Sequence, residues 1–369
     1  MIKVITVLGT RPEIIRLSEI IKKCDKYFNH KTIFTNQNFS PELSQIFFKN
    51  LKIRNPDYIL NIKNESVGSF YGNVLIETEK IFKDEKPDAI QVLGDTNSSI
   101  CSLIAKRMGI PIFHLEAGNR SFDNNVPEEI NRKIADVTSD FNLVYTENAR
   151  QNLILSGHPP RTVLLIGSPL QEVINVNIKN INKSKILNNL KLKKDSYFLV
   201  SIHRQENVDN KNKLNIIISS LRNLQKKYKK KIIISNHPRF AKNNTNLIND
   251  KNFTLHKPLG YFDYLKLQIN AYCTISDSGT IAEESSILKF KAICIRDSIE
   301  RPEAIENGCL ILSGINEENI MESINVTEKI KKDIVETPND YKIKNTSTRV
   351  IKIIQSLHSL KNRWYNISN

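Results

Sequence analysis

The stretch "HLEAGNRSFDNNVPEEINR", His114 to Arg132, begins as an apolar strand end and turns abruptly polar, gathering Glu116, Asp123, Glu128 and Glu129 with Arg120 and Arg132. A strand end this rich in acids suggests proton transfer. Glu116 lies inside the strand end and Glu128 sits in "PEE", so the two cannot both be caps for the same helix. Carboxylates held close together repel, and that repulsion raises the pKa of at least one toward a value useful near neutrality. A further acid, Asp95 in "LGDTNSS", ends another apolar run, with Thr96, Asn97 and Ser98 available to cap the next helix. Capping and catalysis both fit Asp95 at this stage.

Cationic and hydroxyl groups recur at other strand ends. In "GTRPEIIR", Gly9 permits a tight turn, Pro12 suits the first turn of a helix, and Arg11 projects at a helix N-terminus whose free N–H groups favour an anion. A plain strand-to-helix turn carrying a surface arginine is the alternative. The motif is neither G-x-G-x-x-G nor a Walker loop, which argues against a nicotinamide enzyme or an ATPase. Downstream, "SIHRQENVD" places His203, Arg204 and Glu206 after a strand, and "SNHPR" does the same for His237 and Arg239. "SDSGTIAEES" runs through Ser276, Ser278, Gly279 and Thr280 into a helix with Glu283 and Glu284 one turn inside, and "RDSIERPEA" adds Arg301. Hydroxyls, N–H groups and arginines suit a diphosphate, while a helical glutamate suits ribose hydroxyls. No two candidate ligands have zinc-like spacing, so no metal is expected.

Elements that alternate along the chain must position these groups. "KVITVLG" precedes the helical "PEIIRLSEIIKKC", in which Ile14, Leu17, Ile20 and Ile21 recur at helical spacing, and "KTIFTN" precedes "PELSQIFFKNL". "AIQVLGD", "IPIFHLEA", "FNLVYTE" and "TVLLIG" continue the series. Apolar strands separated by helices predict a parallel sheet covered on both faces. The alternation pauses over residues 171 to 195, a polar Lys/Asn-rich stretch, and resumes with "SYFLVSIHR", "KIIISNHP", "AYCTISD", "KAICIRD" and "CLILS". The expected fold class is therefore α/β with two Rossmann-like doubly wound domains, residues 1–170 and 171–345, facing across a cleft. Residues 346–369 form a last helical segment that the sequence alone does not assign to either domain.

Composition narrows the function classes. The 369 residues carry a formal charge of +15. The lysines are scattered, however, and the dense run "KKYKKK" follows a helical pattern, where cations suit a helix C-terminus. With no aromatic-interleaved basic platform, a nucleic-acid partner is not expected. Cys24, Cys101, Cys273, Cys294 and Cys309 are odd in number, widely spaced and mostly within apolar runs, which favours reduced core thiols. No run of about 18 apolar residues appears and no basic-then-apolar leader precedes the first strand, so neither membrane insertion nor secretion is indicated and the chain reads as cytoplasmic.

"GTRPEIIR", "LGDTNSS", "HLEAGNRS…PEEINR", "HRQENVD" and "SDSGTIAEESSILKFKAICIRDSIERPEA" resemble, in order and over nearly the whole chain, the non-hydrolysing UDP-N-acetylglucosamine 2-epimerases. The resemblance implies the glycosyltransferase-B architecture, a homodimer, a UDP-sugar substrate held mainly by the C-terminal domain, no cofactor, and a last helix packed on the N-terminal domain. It also implies a reaction used for surface polysaccharide precursors, in which UDP leaves C1 as the C2 proton is lost and then adds back to a 2-acetamidoglycal. By motif position Asp95, Glu116 and Glu128 match the family's catalytic carboxylates and His203 its histidine. Arg11, His203, Ser278, Gly279, Glu283 and Arg301 match positions expected near UDP; Arg16, His237 and Thr280 join that set, with Arg120 and Arg132 candidates for holding the loop. Where well-known members have Lys, this chain has Arg16, and their stretch for a second, activating UDP-sugar reads here as "NQNFSPEL". The wording of "RPEIIRLS" and "SDSGTIAEESSIL" is similar to the branch acting on UDP-6-deoxy-L-hexosamines. Rival readings are a hydrolysing 2-epimerase, a glycosyltransferase of the same architecture and, from another class, a basic nucleic-acid-binding protein.

Overall fold

A computed structural model of the chain describes residues 1–37, 41–60, 62, 66–236, 250–256, 259–330 and 335–360. It divides into two units, Met1–Asn175 with the segment from Asp340 onward, and Val176–Asn339.

The first unit is built on a seven-stranded parallel sheet of order β3-β2-β1-β4-β5-β6-β7. Its strands are β1 (Lys3–Leu8), β2 (Asn29–Phe34), β3 (Tyr58–Ile59), β4 (Ala89–Leu93), β5 (Ile112–Leu115), β6 (Phe141–Val144) and β7 (Val163–Leu165). Every residue of β4, β5 and β6 is buried, as expected of strands covered on both faces. After β1 the helix Arg11–Tyr27 starts from extended Thr10, with Pro12 in its first turn and Glu13 completing a capping box; Ile14, Leu17, Ile20, Ile21 and Cys24 form its buried stripe. The helix Thr346–Leu357 lies against this helix, burying Val350 and Ile354, with Lys23 bonded to the Thr348 hydroxyl. Its start is pinned where Ser347 N donates to Glu172 Oε2 at 2.8 Å.

The second unit carries a six-stranded parallel sheet of order β10-β9-β8-β11-β12-β13. These strands are β8 (Tyr197–Ile202), β9 (Lys231–Asn236), β10 (Phe253–His256), β11 (Cys273–Ser276), β12 (Ala292–Cys294) and β13 (Ile311–Leu312). Phe198, Val200, Ile232, Ile234, Ile275 and Ile293 from the strands meet Leu214, Ile217, Leu221 and Ile320 from covering helices in one buried core. The α/β class and the pair of Rossmann-like units match the sequence reading. All five cysteines are buried, and none of them forms a disulfide. Among the described residues no helix is long and apolar enough to cross a membrane.

Strand order decides where the chemistry gathers. In the first sheet the connection reverses between β1 and β4, and in the second between β8 and β11. The chain leaves opposite sides of such a switch point, so the ends of the two strands open a crevice. Gly9 and Asp95 follow β1 and β4; His203 and Asp277 follow β8 and β11.

Candidate active site

In the first unit the turn after β1 is closed by contact. A Cβ on Gly9 would lie 2.1 Å from Ser98 Oγ and 2.2 Å from Thr35 Oγ1, two hydroxyls that bond one another at 2.6 Å. Only a residue without a side chain fits there. Arg11 follows, half-buried, and among the described residues it has no carboxylate partner. Burial pushes its guanidinium below the usual arginine value, the signature of a cation short of counter-charge.

Glu13, absent from the sequence candidates, fastens this turn. Its Oε2 accepts from Gly9 N at 3.0 Å, Thr10 N at 2.8 Å and Thr10 Oγ1 at 2.8 Å, while Oε1 accepts from Thr96 Oγ1 at 3.1 Å. One carboxylate thereby ties the turn bearing Arg11 to the turn bearing Asp95. Burial pushes Glu13 up to about 7, and the hydrogen bonds oppose that rise without cancelling it. An acid raised by burial stabilises the fold while protonated; its contribution is complete below the unfolded value near 4.5 and is lost as pH rises through about 7. The swing is on the order of 3 kcal/mol. Glu13→Gln presents a neutral amide of the same shape, so its stability relative to the parent is expected to improve steadily from pH 5 to pH 8. Chemical denaturation at several pH values reads this directly, and parallel pH profiles for the two proteins would disprove it.

The expected crowd of acids is resolved by pairing. Glu116, 8% exposed, has its Oε2 3.4 Å from Arg16 Nε. Arg16 is 2% exposed, with its guanidinium 5.7 Å from the Tyr145 ring centre. Position 16 therefore addresses Glu116 and an aromatic face, and a planar guanidinium suits both. Asp95 takes Arg132, whose other arm donates to Glu129 Oε2 at 2.8 Å. Glu129 also accepts from Ser121 N and Ser121 Oγ, each at 3.1 Å, so Arg132 and Glu129 hold the loop. Arg120 lies inward with Nη1 2.7 Å from Asp136 Oδ2, again a loop-holding contact. Glu128 is different: half-buried at the start of the helix Glu128–Thr138, its side chain has no hydrogen bond or ion pair among the described residues.

In the second unit, Asp277 organises the strand ends and is 0% exposed. It accepts from His203 N at 3.1 Å, Arg204 N at 3.0 Å and Asn207 Nδ2 at 3.0 Å, and His203 Nδ1 lies 3.2 Å from Oδ1. The His203 ring is otherwise exposed. Beside it, the helix Ile281–Leu288 begins at Thr280, and the Ser278 and Thr280 hydroxyls approach to 3.1 Å. Glu283, 0% exposed, meets Arg301 Nε at 2.9 Å. The two residues read separately as ribose and diphosphate contacts thus form one buried pair. A Cβ on Gly279 would come within 2.9 Å of Arg301 Nη1, so this glycine lets backbone and guanidinium approach. Glu300 steadies the cluster by a two-armed bond to Arg296 at 2.8 and 2.7 Å. His237 and its neighbour Arg239 lie outside the described residues.

The sequence reading named Glu129 among the loop acids without a role and passed over Glu13, Asp136, Asp277 and Glu300; all five are buried acids. Thr10 three residues before Glu13 is a visible capping-box signal, and Asp277 stands in the same strand-end position as Asp95. Asp136 and Glu300 carry no local signal.

The chain as a whole is similar to known proteins. The family described as UDP-N-acetylglucosamine 2-epimerase matches residues 22–355. The UDP-N-acetylglucosamine 2-epimerase of Methanocaldococcus jannaschii is 37% identical over 364 residues, 95% of this chain and 98% of that protein. The crystal structure of a Methanocaldococcus jannaschii UDP-GlcNAc 2-epimerase in complex with UDP-GlcNAc and UDP matches with a TM-score of 0.91 at 36% identity, covering 96% of this chain and 100% of that one. A UDP-N-acetylglucosamine 2-epimerase structure from Rickettsia bellii gives a TM-score of 0.91 at 40% identity, covering 99% and 100% respectively. With identity above 30% across nearly its whole length, and the same two Rossmann-like units, this chain belongs to the UDP-N-acetylglucosamine 2-epimerase family of carbohydrate isomerases.

Proposed function

We propose that this protein is a non-hydrolysing UDP-N-acetylhexosamine 2-epimerase. The C2 proton beside an acetamido group is poorly acidic, so direct abstraction is unfavourable. Elimination avoids it: the C1–O bond breaks with its electron pair leaving on UDP, the C2 proton passes to a carboxylate, and a C1=C2 double bond forms. Re-addition of UDP at C1, with a proton delivered to the opposite face of C2, gives the epimer. Asp95, Glu116 and Glu128 are assigned to proton transfer and electrostatic support, each such group being worth roughly 10²–10⁴ in rate. His203, Ser278, Gly279, Thr280, Glu283 and Arg301, with the under-compensated cation Arg11, are assigned to UDP. The observation that carries this reading is Glu116, a nearly buried carboxylate at the end of a buried strand, held in left-handed backbone at φ 63°. Strain of about 1–3 kcal/mol at a non-glycine residue persists only where surrounding contacts hold it, and such residues cluster at active sites.

Relatives named as UDP-N-acetylglucosamine 2-epimerases support UDP-GlcNAc as one substrate, whose C2 epimer is UDP-ManNAc. A UDP-6-deoxy-L-hexosamine pair is the second reading, favoured by the wording of "RPEIIRLS" and "SDSGTIAEESSIL". Incubation with each UDP-sugar in D₂O, without acceptor, is expected to yield a C2 epimer still joined to UDP and carrying deuterium at C2. Accumulated free sugar would instead identify a hydrolase, and absence of C2 exchange across the panel would overturn the assignment. The pair that equilibrates fastest identifies the substrate.

A further inference from the structure

Beneath the acid-bearing loop lies a buried charged cluster that the assigned chemistry does not use. Asp136, on the helix that begins at Glu128, is 0% exposed, as is His114 in β5. Asp136 Oδ1 lies 3.0 Å from His114 Nδ1 and accepts from Gly118 N at 3.2 Å, while Oδ2 lies 2.7 Å from Arg120 Nη1. The contacts to His114 and Arg120 are close but not aligned as hydrogen bonds, so proximity of charge and dipole holds them. Across the ring, His114 Nε2 is 2.9 Å from the Gly94 carbonyl oxygen, one residue before Asp95. Burial alone would raise Asp136, but His114 and Arg120 outweigh it and keep the carboxyl below its usual range.

The placement of these contacts is specific. Glu116 is flanked two residues earlier by His114 and two residues later by Gly118, and both touch the same carboxylate oxygen. Left-handed backbone at a glutamate is costly, and it survives only where surrounding contacts over-determine it. We propose that Asp136 is a positioning residue for the reaction, clamping the chain on both sides of Glu116 so that its carboxylate stays against Arg16. The same clamp reaches Asp95 through His114 and Gly94, and Glu128 through their shared helix. This inference rests on the epimerase reading only for what the clamp serves; the clamp itself is a statement about backbone.

Asp136→Asn keeps the shape and one acceptor oxygen but removes the charge that gathers His114 and Arg120. Its expected result is a kcat lowered about 10- to 100-fold with KM within about twofold, since misplacement of a reacting group by about 1 Å costs a factor of that order. Hydrogen exchange should quicken over residues 113–120 while peptides from the β8–β12 sheet stay unchanged. Combined with Glu116→Gln, the second substitution is expected to add little further loss, because both act through one carboxylate. Unchanged kcat, unchanged exchange at residues 113–120, or fully additive losses would each overturn the proposal. If Asp136→Asn does not fold, Arg120→Lys decides: it keeps the cation, loses the rigid fork, and should give the same direction in kcat and exchange; parent-like values for both would overturn the clamp. Parent-like turnover in Glu116→Gln alone would instead refute the catalytic reading while leaving the exchange result to judge the clamp.

Discussion

Glu116→Gln and Glu128→Gln are each expected to lower kcat by about 10²–10⁴ while changing UDP affinity by less than about twofold. Both substitutions preserve volume and remove only the capacity to carry a proton and a charge. Their stability effects should differ, and that difference makes the pair informative. Glu128 has no hydrogen bond or ion pair among the described residues, so its substitution should leave the Tm unchanged. Glu116 sits against a 2% exposed Arg16, so its neutralisation removes a counter-charge from a buried cation and should lower the Tm measurably. Single-turnover kinetics with calorimetric UDP titration separates chemistry from binding. Retention of full kcat in both variants would remove the proposed mechanism.

The second large effect is expected in the other unit, at a residue that touches no obvious ligand group. Asp277→Asn looks conservative but leaves one acceptor oxygen in place of two: with that oxygen kept toward Arg204 N and Asn207 Nδ2, the amide NH₂ takes the place of Oδ1 against the His203 N–H. Donor then meets donor. In a site that is 0% exposed, each unsatisfied group costs about 1–3 kcal/mol, and the β8–β11 strand ends should separate to relieve the conflict. We expect UDP affinity to fall at least about tenfold as His203 and Arg204 lose their anchor, and the midpoint of urea unfolding to drop. UDP binding equal to the parent would show that the His203 strand end is not part of the nucleotide grip.

Much of the architecture was legible without coordinates, and the reason is local physics. Strands buried on both faces must be apolar throughout, helices over a sheet must repeat at helical spacing, and Gly9, Pro12 and Gly279 mark where strands give way to helices. Parallel strands also force ligand-facing groups to follow strand ends, which is why Asp95, Glu116, His203 and Ser278 stood out. Thr10 and Glu13 announced a capping box, but not that Glu13 would also reach Thr96 and be pushed up to about 7, since that depends on a turn from another strand and on the depth of burial.

What tertiary structure alone decided is which acid meets which cation. Arg16 faces Glu116, Arg132 faces Asp95, Arg301 faces Glu283, and Asp136 collects His114, Gly118 and Arg120. None of these partnerships has a spacing rule, because each depends on sheet order: β4 lies between β1 and β5, and β11 between β8 and β12. The sequence by itself determined that charged groups would collect beyond the strands, since backbone geometry and apolar burial act over a few residues. Their pairing, and the left-handed turn at Glu116 that the pairing sustains, followed only when strands distant in the chain became neighbours, because electrostatic contacts are set by distance in space and not along the sequence.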